Sequence, residues 1–322
     1  MALEFIRGIK MKKIIAFFVF LVVSIFGVLL YIYDFVFHGT KRRQPMDQDL
    51  PLGTEFGEYA EVINKYIEDF KKIPYEKVTI LSHDGIKLAA RYYHFKDGAP
   101  VSIIFHGYRG NVARDASGGF RMSRDNGFNV LLINQRAHFE SGGRTITFGV
   151  KERYDCLDWI EYVRERFGKD TPIFLMGLSM GAAVVLMAGG LDLPSNVKGI
   201  FADCGYTSPK EILQTVIKQM KLPVKISYFF VRLSAIVFGG FDPEEASARE
   251  AMKNCKVPVM FVHGEADDFV PCQMSRDNYE ACASRKEILT VPEAIHGMSY
   301  CVDSEAYVNA VQKFITSIMK EA

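Results

Sequence analysis

The sequence predicts an α/β protein, a mostly parallel central sheet with helices on both faces, preceded by one N-terminal transmembrane helix. Three observations carry this. Short apolar strand-like runs alternate with helical stretches through the carboxyl two-thirds of the chain. An uncharged run of 20 residues, Ile14 to Tyr33, lies at the amino end. The 322 residues hold 39 basic and 38 acidic side chains, a net charge of +1. That balance gives no support for nucleic-acid binding. Beyond the apolar run, about 280 residues remain, enough for one large domain.

The amino end reads as a tail (residues 1–13) and a membrane anchor (14–33). Twenty apolar residues in a helix match the hydrocarbon core of a bilayer, and Tyr31 and Tyr33 sit where aromatic rings favour the interface. A cleaved signal peptide is the alternative, but Asp34-Phe35-Val36-Phe37 is a poor cleavage site. Met11 is a second possible start. Arg7, Lys10, Lys12 and Lys13 precede the span and Lys41, Arg42 and Arg43 follow it, a slight bias toward an extracytoplasmic catalytic domain. The six cysteines mildly oppose that side. They show no C-x-x-C pair and no zinc spacing, so no metal is expected, and most read as buried thiols. A disulfide among Cys255, Cys272, Cys282 and Cys301 is a further possibility.

Residues 34–73 read as a linker followed by an amphipathic helix. Pro45, Pro51 and Gly53 mark the linker. Phe56, Tyr59, Ile63, Tyr66, Ile67 and Phe70 recur at helical spacing before Pro74, on a helix whose mixed-charge polar face suits packing on the domain rather than on lipid. A catalytic domain then spans 74–322. Lys77–Ser82 and Ile86–His94 form a hairpin around His83-Asp84-Gly85. Strands follow at Val101–Phe105, Asn129–Asn134, Pro172–Met176, Val197–Ala202, Val257–Val262 and Glu287–Val291. Helices fit Asp115–Asn126, Glu152–Phe167, Met180–Gly190, Cys272–Cys282 and Ser304–Lys320. Between the sixth and seventh strands an apolar insertion, about 206–250, reads as a small helical cap or as helices that complete the domain.

The chemistry centres on Gly177-Leu178-Ser179-Met180-Gly181, a G-x-S-x-G turn between a strand and a helix. A serine hydroxyl is a weak nucleophile and needs a base, an acid to orient the base, and donors for the oxyanion. Active groups in such sheets gather beyond the carboxyl ends of strands. Asp267 and His296 each follow a strand there, giving the order Ser179, Asp267, His296. Asp268 and Asp203 are alternative acids; His83, His94, His106, His138 and His263 are the other weighed histidines, but none follows the last strand. The backbone N–H groups of Met180 and of Tyr108, in the loop His106-Gly107-Tyr108-Arg109-Gly110, are the expected oxyanion donors.

On these residues, with Gln135 to Gly143, Phe148 to Ile160 and His263 to Pro271, the chain from about Tyr75 onward resembles the α/β-hydrolase superfamily. Within it, the chain is similar to the membrane-anchored or cytosolic serine esterases and peptidase-like enzymes called serine aminopeptidase-like. The family often carries Asp-x-Arg-Gly-His-Gly after its fourth strand; here Asn134, Ala137 and Phe139 depart from that run. The resemblance implies a serine hydrolase with an α/β-hydrolase fold and a Ser-His-Asp triad. It uses no cofactor and cleaves a small-molecule or lipid-like acyl substrate, a carboxylic ester first. An aminopeptidase, holding the substrate amine on Asp242, Glu244 or Glu245, is the alternative, and a non-catalytic membrane-tethered protein a third reading. An epoxide or haloalkane hydrolase would carry Asp at position 179.

Overall fold

The computed structural model describes residues 2–39, 59–110 and 112–320. Residues 40–58, with the expected linker prolines, the basic run Lys41 to Arg43 and Phe56, lie outside the described residues. The first helix, α1 (Ala2–Val36), absorbs both the expected tail and the expected span. Lys13–Val36, 24 residues, is long and apolar enough to cross a membrane.

After α1 come α2 (Tyr59–Lys71), β1 (Glu76–Leu81), β2 (Lys87–Tyr93), β3 (Val101–Phe105), α3 (Val112–Asp125), β4 (Asn129–Asn134) and α4 (Glu152–Phe167). Next are β5 (Ile173–Leu178), α5 (Met180–Gly189), β6 (Val197–Asp203), α6 (Pro209–Gln219), α7 (Val224–Ser234), a π-helical turn (Ala235–Gly239) and α8 (Ala248–Met252). The chain closes with β7 (Val259–Gly264), α9 (Cys272–Ala281), β8 (Lys286–Val291), α10 (Ser299–Val302) and α11 (Ser304–Met319). The strands make one eight-stranded sheet in the order β1-β2-β4-β3-β5-β6-β7-β8. Pairings β1–β2 and β2–β4 are antiparallel; β4–β3, β3–β5, β5–β6, β6–β7 and β7–β8 are parallel.

The middle strands are Val-, Ile- and Phe-rich because both of their faces are covered. Along β5, Ile173 and Leu175 point into one core and Phe174 and Met176 into the other, the two-residue period of a strand. The first core is closed by α4, α5, the α6–α8 insertion and α9; the second by α2, α3 and α11. The α5 helix is buried along all ten residues and is correspondingly apolar on every side. On α2, the stripe Ala60, Ile63, Ile67 and Phe70 is buried against the domain, as its spacing predicts.

One boundary needs correcting. Residues 34–39, expected to open a linker, belong to α1 and to the domain packed on it. Asp34 to Val36 finish α1, and Phe37 is fully buried between the rings of Phe148 and Phe241. His38 bridges Thr145, the Phe37 carbonyl accepts from the Ile146 N–H at 2.8 Å, and Gly39 donates to the Arg144 carbonyl at 2.8 Å. Composition over a long window masks a short apolar run; burying one phenylalanine gives about 2–3 kcal/mol, sufficient to pin it. All six cysteines are free thiols, so the possible disulfide does not form.

Candidate active site

The turn from β5 to α5 is built by close approach. A Cβ on Gly177 would collide with the Gly181 carbonyl, and one on Gly181 with the Phe105 carbonyl. Neither position has room for a side chain. Ser179 sits at φ 54° and ψ −113°, a conformation that L residues rarely adopt. Its N–H donates to the Asp203 carbonyl at 2.8 Å, which ties the turn to the end of β6.

Three of the expected side chains form one chain of hydrogen bonds. Ser179 Oγ lies 2.9 Å from His296 Nε2, and His296 Nδ1 lies 2.7 Å from Asp267 Oδ2. Asp267 Oδ1 accepts from the backbone N–H groups of Phe269 (3.0 Å) and Val270 (2.8 Å). Burial pushes the Asp267 carboxyl up, but the hydrogen bonds from His263 and His296 outweigh it and hold the group at about 2. Asp267 is therefore ionised at neutral pH and accepts only, so His296 Nδ1 carries the proton and Nε2 faces the serine hydroxyl as an acceptor. The Phe269 ring packs on His296 at 5.1 Å.

Histidines that are not in this chain have their own work. His263 Nε2 reaches both Asp267 Oδ2 (3.1 Å) and the Val270 carbonyl (2.8 Å), while its Nδ1 meets Ser275 Oγ (2.7 Å). A carbonyl only accepts, so His263 Nε2 donates and helps hold Asp267. His106 Nδ1 donates to the Gly107 carbonyl (2.7 Å), leaving Nε2 to accept from the Gln135 N–H (3.2 Å). His138 Nδ1 donates to the Arg136 carbonyl (2.9 Å) and its Nε2 accepts from the Arg109 N–H (3.2 Å). Burial, then the neighbouring His106, pushes His138 well below the usual imidazole range, so it stays neutral. His83 and His94 lie at the surface, paired with Asp158 and Asp97.

These groups frame the 106–110 loop. The Asp115 carboxylate accepts from the Gly107 N–H at 2.9 Å. Among the described residues, no protein acceptor meets the N–H of Tyr108 or of Met180, the two expected oxyanion donors. The Tyr108 ring stacks on Phe148 at 5.0 Å and its hydroxyl donates to the Val36 carbonyl at 2.7 Å. Asp115 was invisible in the sequence, because its role depends on a loop eight residues away folding back over it.

The two alternative acids stand apart from the chain. Asp268 is exposed, and its carbonyl takes a hydrogen bond from Gln219 at the end of α6. Asp203 is buried and accepts from the Tyr307 hydroxyl at 3.1 Å. Burial lifts its carboxyl to about 6. It borders a cavity of about 50 Å³ behind the serine turn, shared with Gly177, Leu178, Met298 and Tyr307, with room for a few waters. Among the described residues, two groups have ligand atoms within 4.8 Å of one another, Cys204 with Asp267 and His296, and His83 with Asp155 and Asp158. In the first, Asp267 and His296 face each other; in the second, Arg136 takes both Asp155 oxygens at 2.5 and 2.7 Å.

An eight-stranded, mostly parallel sheet with a strained serine turn at its centre defines the α/β-hydrolase fold. A family model described as "alpha/beta hydrolase fold" matches residues 100–240. The chain is 26% identical to YqkD of Bacillus subtilis over 256 residues, 78% of this chain and 82% of that one. It is 23% identical to an uncharacterized membrane protein of Saccharomyces cerevisiae, YNL320W, over 77% of this chain and 81% of the relative. Among solved structures, the Pyrococcus furiosus esterase Pf2001 aligns with a TM-score of 0.64 at 24% identity, covering 78% of this chain and 94% of the esterase. The chain therefore has the α/β-hydrolase fold, and its residues 100–240 are similar to that family's model.

Proposed function

We propose that the protein is a membrane-anchored serine hydrolase that cleaves carboxylic esters of apolar or lipid-like acids. The observation that carries this reading is the continuous path from Asp267 through His296 to Ser179, at 2.7 and 2.9 Å. Ser179 Oγ attacks the acyl carbonyl while His296 Nε2 takes its proton. The N–H groups of Tyr108 and Met180 receive the oxyanion. His296 then protonates the departing alcohol and Ser179 keeps the acyl group. Water, deprotonated by His296, attacks the acyl-enzyme, releasing the acid and restoring the serine. Asp267 holds the imidazole and offsets its charge in both halves. No step needs a cofactor.

The peptidase reading depends on free carboxylates near the insertion. Asp242 is engaged by Arg232 through two bonds of 2.9 and 2.7 Å, and Glu244 by Lys210 (3.2 Å) and Arg232 (3.3 Å). Asp242 and Glu244, so paired, are poor amine receptors, which favours the ester; Glu245, exposed and 4.0 Å from Arg153, is the carboxylate left for an amine. The insertion at about 206–250 acts as the lid of the domain at 74–322, and α1 crosses the bilayer once with the catalytic domain on the extracytoplasmic side. Four basic residues before the span against three after it support that side; the free thiols count the other way. Protease accessibility in intact cells decides the side.

A fluorophosphonate probe, with a panel of short and long acyl esters and aminoacyl amides, tests the chemistry. Labelling at Ser179 with ester turnover, both abolished in Ser179→Ala, is the expected result. A Ser179→Ala protein with undiminished turnover would sink it, and an unlabelled, inactive wild type would return the non-catalytic reading.

A further inference from the structure

The lid helix α7 is apolar on two opposite faces. One face, Tyr228, Val231 and Ala235, is buried on the domain. The other faces outward: Ile226 is 62% exposed, Phe229 59%, Ile236 45% and Val237 49%. Their spacing of three, seven and one residues keeps them on one side of the helix and its π-helical continuation. Between residues 224 and 241 the charged side chains are Lys225 and Arg232, and Arg232 is taken up by Asp242 and Glu244. A second apolar face, exposed on a helix whose opposite face is already buried, needs a cover of its own.

The neighbour of this segment says what that cover is. α7 and the π-helical turn pack along α1. Ser234 Oγ donates to the Leu29 carbonyl at 2.9 Å. The Phe238 ring meets Phe26 at 4.8 Å and Tyr33 at 6.0 Å. Both Phe26 and Leu29 lie inside the apolar stretch Lys13–Val36. Phe26 precedes Val36 by ten residues, about 15 Å along a helix. A segment packed beside α1 at that level shares its depth. The oxyanion loop is fixed to the same helix end, since the Tyr108 hydroxyl holds the Val36 carbonyl and the Arg109 guanidinium holds the carbonyls of Phe35 (2.9 Å) and His38 (3.0 Å). Lys218, Lys221 and Lys225 lie at the opening end of α7, where ammonium groups can reach lipid headgroups.

Resting on the anchored-hydrolase reading, we infer that α7 and the π-helical turn are embedded in the leaflet that holds the end of α1. The catalytic site then draws acyl substrates from the lipid phase rather than from water. The occupant of the outward face is the acyl region of the bilayer itself.

Tryptophan substitutions in the full chain, reconstituted in phosphatidylcholine vesicles, test this. The native Trp159 is fully buried and gives a constant background. Phe229→Trp and Val237→Trp are expected to emit at shorter wavelength and to lose at least half their added fluorescence to doxyl-labelled lipid. Lys169→Trp, on an exposed turn of the domain, should lose little. Val22→Trp, within the span, reports on the anchor. If Val22→Trp is quenched but the lid tryptophans match Lys169→Trp, the lid lies in water and the inference is wrong. If Val22→Trp is also unquenched, the anchor reading falls and the inference with it. Kinetics give a second arm. The double variant Phe229→Asp/Val237→Asp should lose at least tenfold more kcat/KM on a vesicle-borne long-chain ester than on p-nitrophenyl acetate; equal losses overturn substrate entry from lipid. Lipid quenching without fluorophosphonate labelling of Ser179 would refute the hydrolase reading and leave the embedded lid standing.

Discussion

Asp203 ends β6 and Asp267 lies just beyond the end of the neighbouring β7; both are buried, yet their carboxyls are shifted in opposite directions. Asp267 collects four donors: two backbone N–H groups and the imidazoles of His263 and His296. It stays ionised down to about 2. Asp203 has the Tyr307 hydroxyl, and its Oδ1 has no partner among the described residues. Burial lifts it to about 6. Desolvation opposes the charge in both, so the donors decide the direction in which each carboxyl shifts. Position after a strand nominates both carboxylates as candidate acids, and the hydrogen bonds that reach Asp267 single it out as the better candidate.

The largest effect that separates the pair is on activity. Asp267→Asn should lower kcat/KM on a short ester by about 10⁴, because the amide no longer fixes the His296 tautomer, while Asp203→Asn stays within about threefold of wild type. Steady-state kinetics on both variants check this, and an equal loss would dissolve the distinction.

Stability separates them next, with opposite sign. The folded value of Asp203 lies above its ordinary 3.8, so it favours folding while protonated and the advantage is lost as pH rises through about 6. Asp203→Asn should therefore gain at most about 3 kcal/mol relative to wild type at pH 8, and close to nothing at pH 4. Urea unfolding at the two pH values reads the difference.

For Asp267 the folded value is depressed, so its contribution is present above 3.8 and is lost as pH falls toward about 2. It amounts to about 2 kcal/mol, visible as a steepening of acid unfolding in that window. His263→Phe removes one of its donors and should cost about 2 kcal/mol at pH 7. The same variant should move the acid transition to higher pH. A His263→Phe protein with an unchanged acid transition would mean that His263 packs beside Asp267 without sustaining its charge.

Much of this arrangement was legible in the chain. The strands were found to within two residues at their ends, because central parallel strands are continuous apolar runs bounded by glycine and charge. Gly177, Ser179 and Gly181 announced a tight turn, and strand order placed Asp267 and His296 beside it. What stayed hidden depends on contacts distant in sequence. Nothing local marks His106 and His138 as neutral braces of the 106–110 loop, or Asp115 as its acceptor. Ala137 and Phe139, which replace the family's usual glycines, both hold positive φ, at 63° and 44°. The fold imposes the glycine backbone on residues that resist it, and the buried Arg136–Asp155 pair helps to hold that loop. Phe37 was misread because its neighbours downstream are polar, although its own run is apolar.

The joint between α1 and the domain leaves no slack. From Val36 to Gly39 each residue is tied to the 106–110 loop or to the stretch of chain at 144–146. A catalytic head on a long tether could sweep a hemisphere and act on a facing surface or on passing solutes. This one, fixed at the helix end, would diffuse only in its own plane. Its turnover would follow the number of substrate molecules per unit area of that one membrane, and a substrate held on an opposing membrane would stay out of reach.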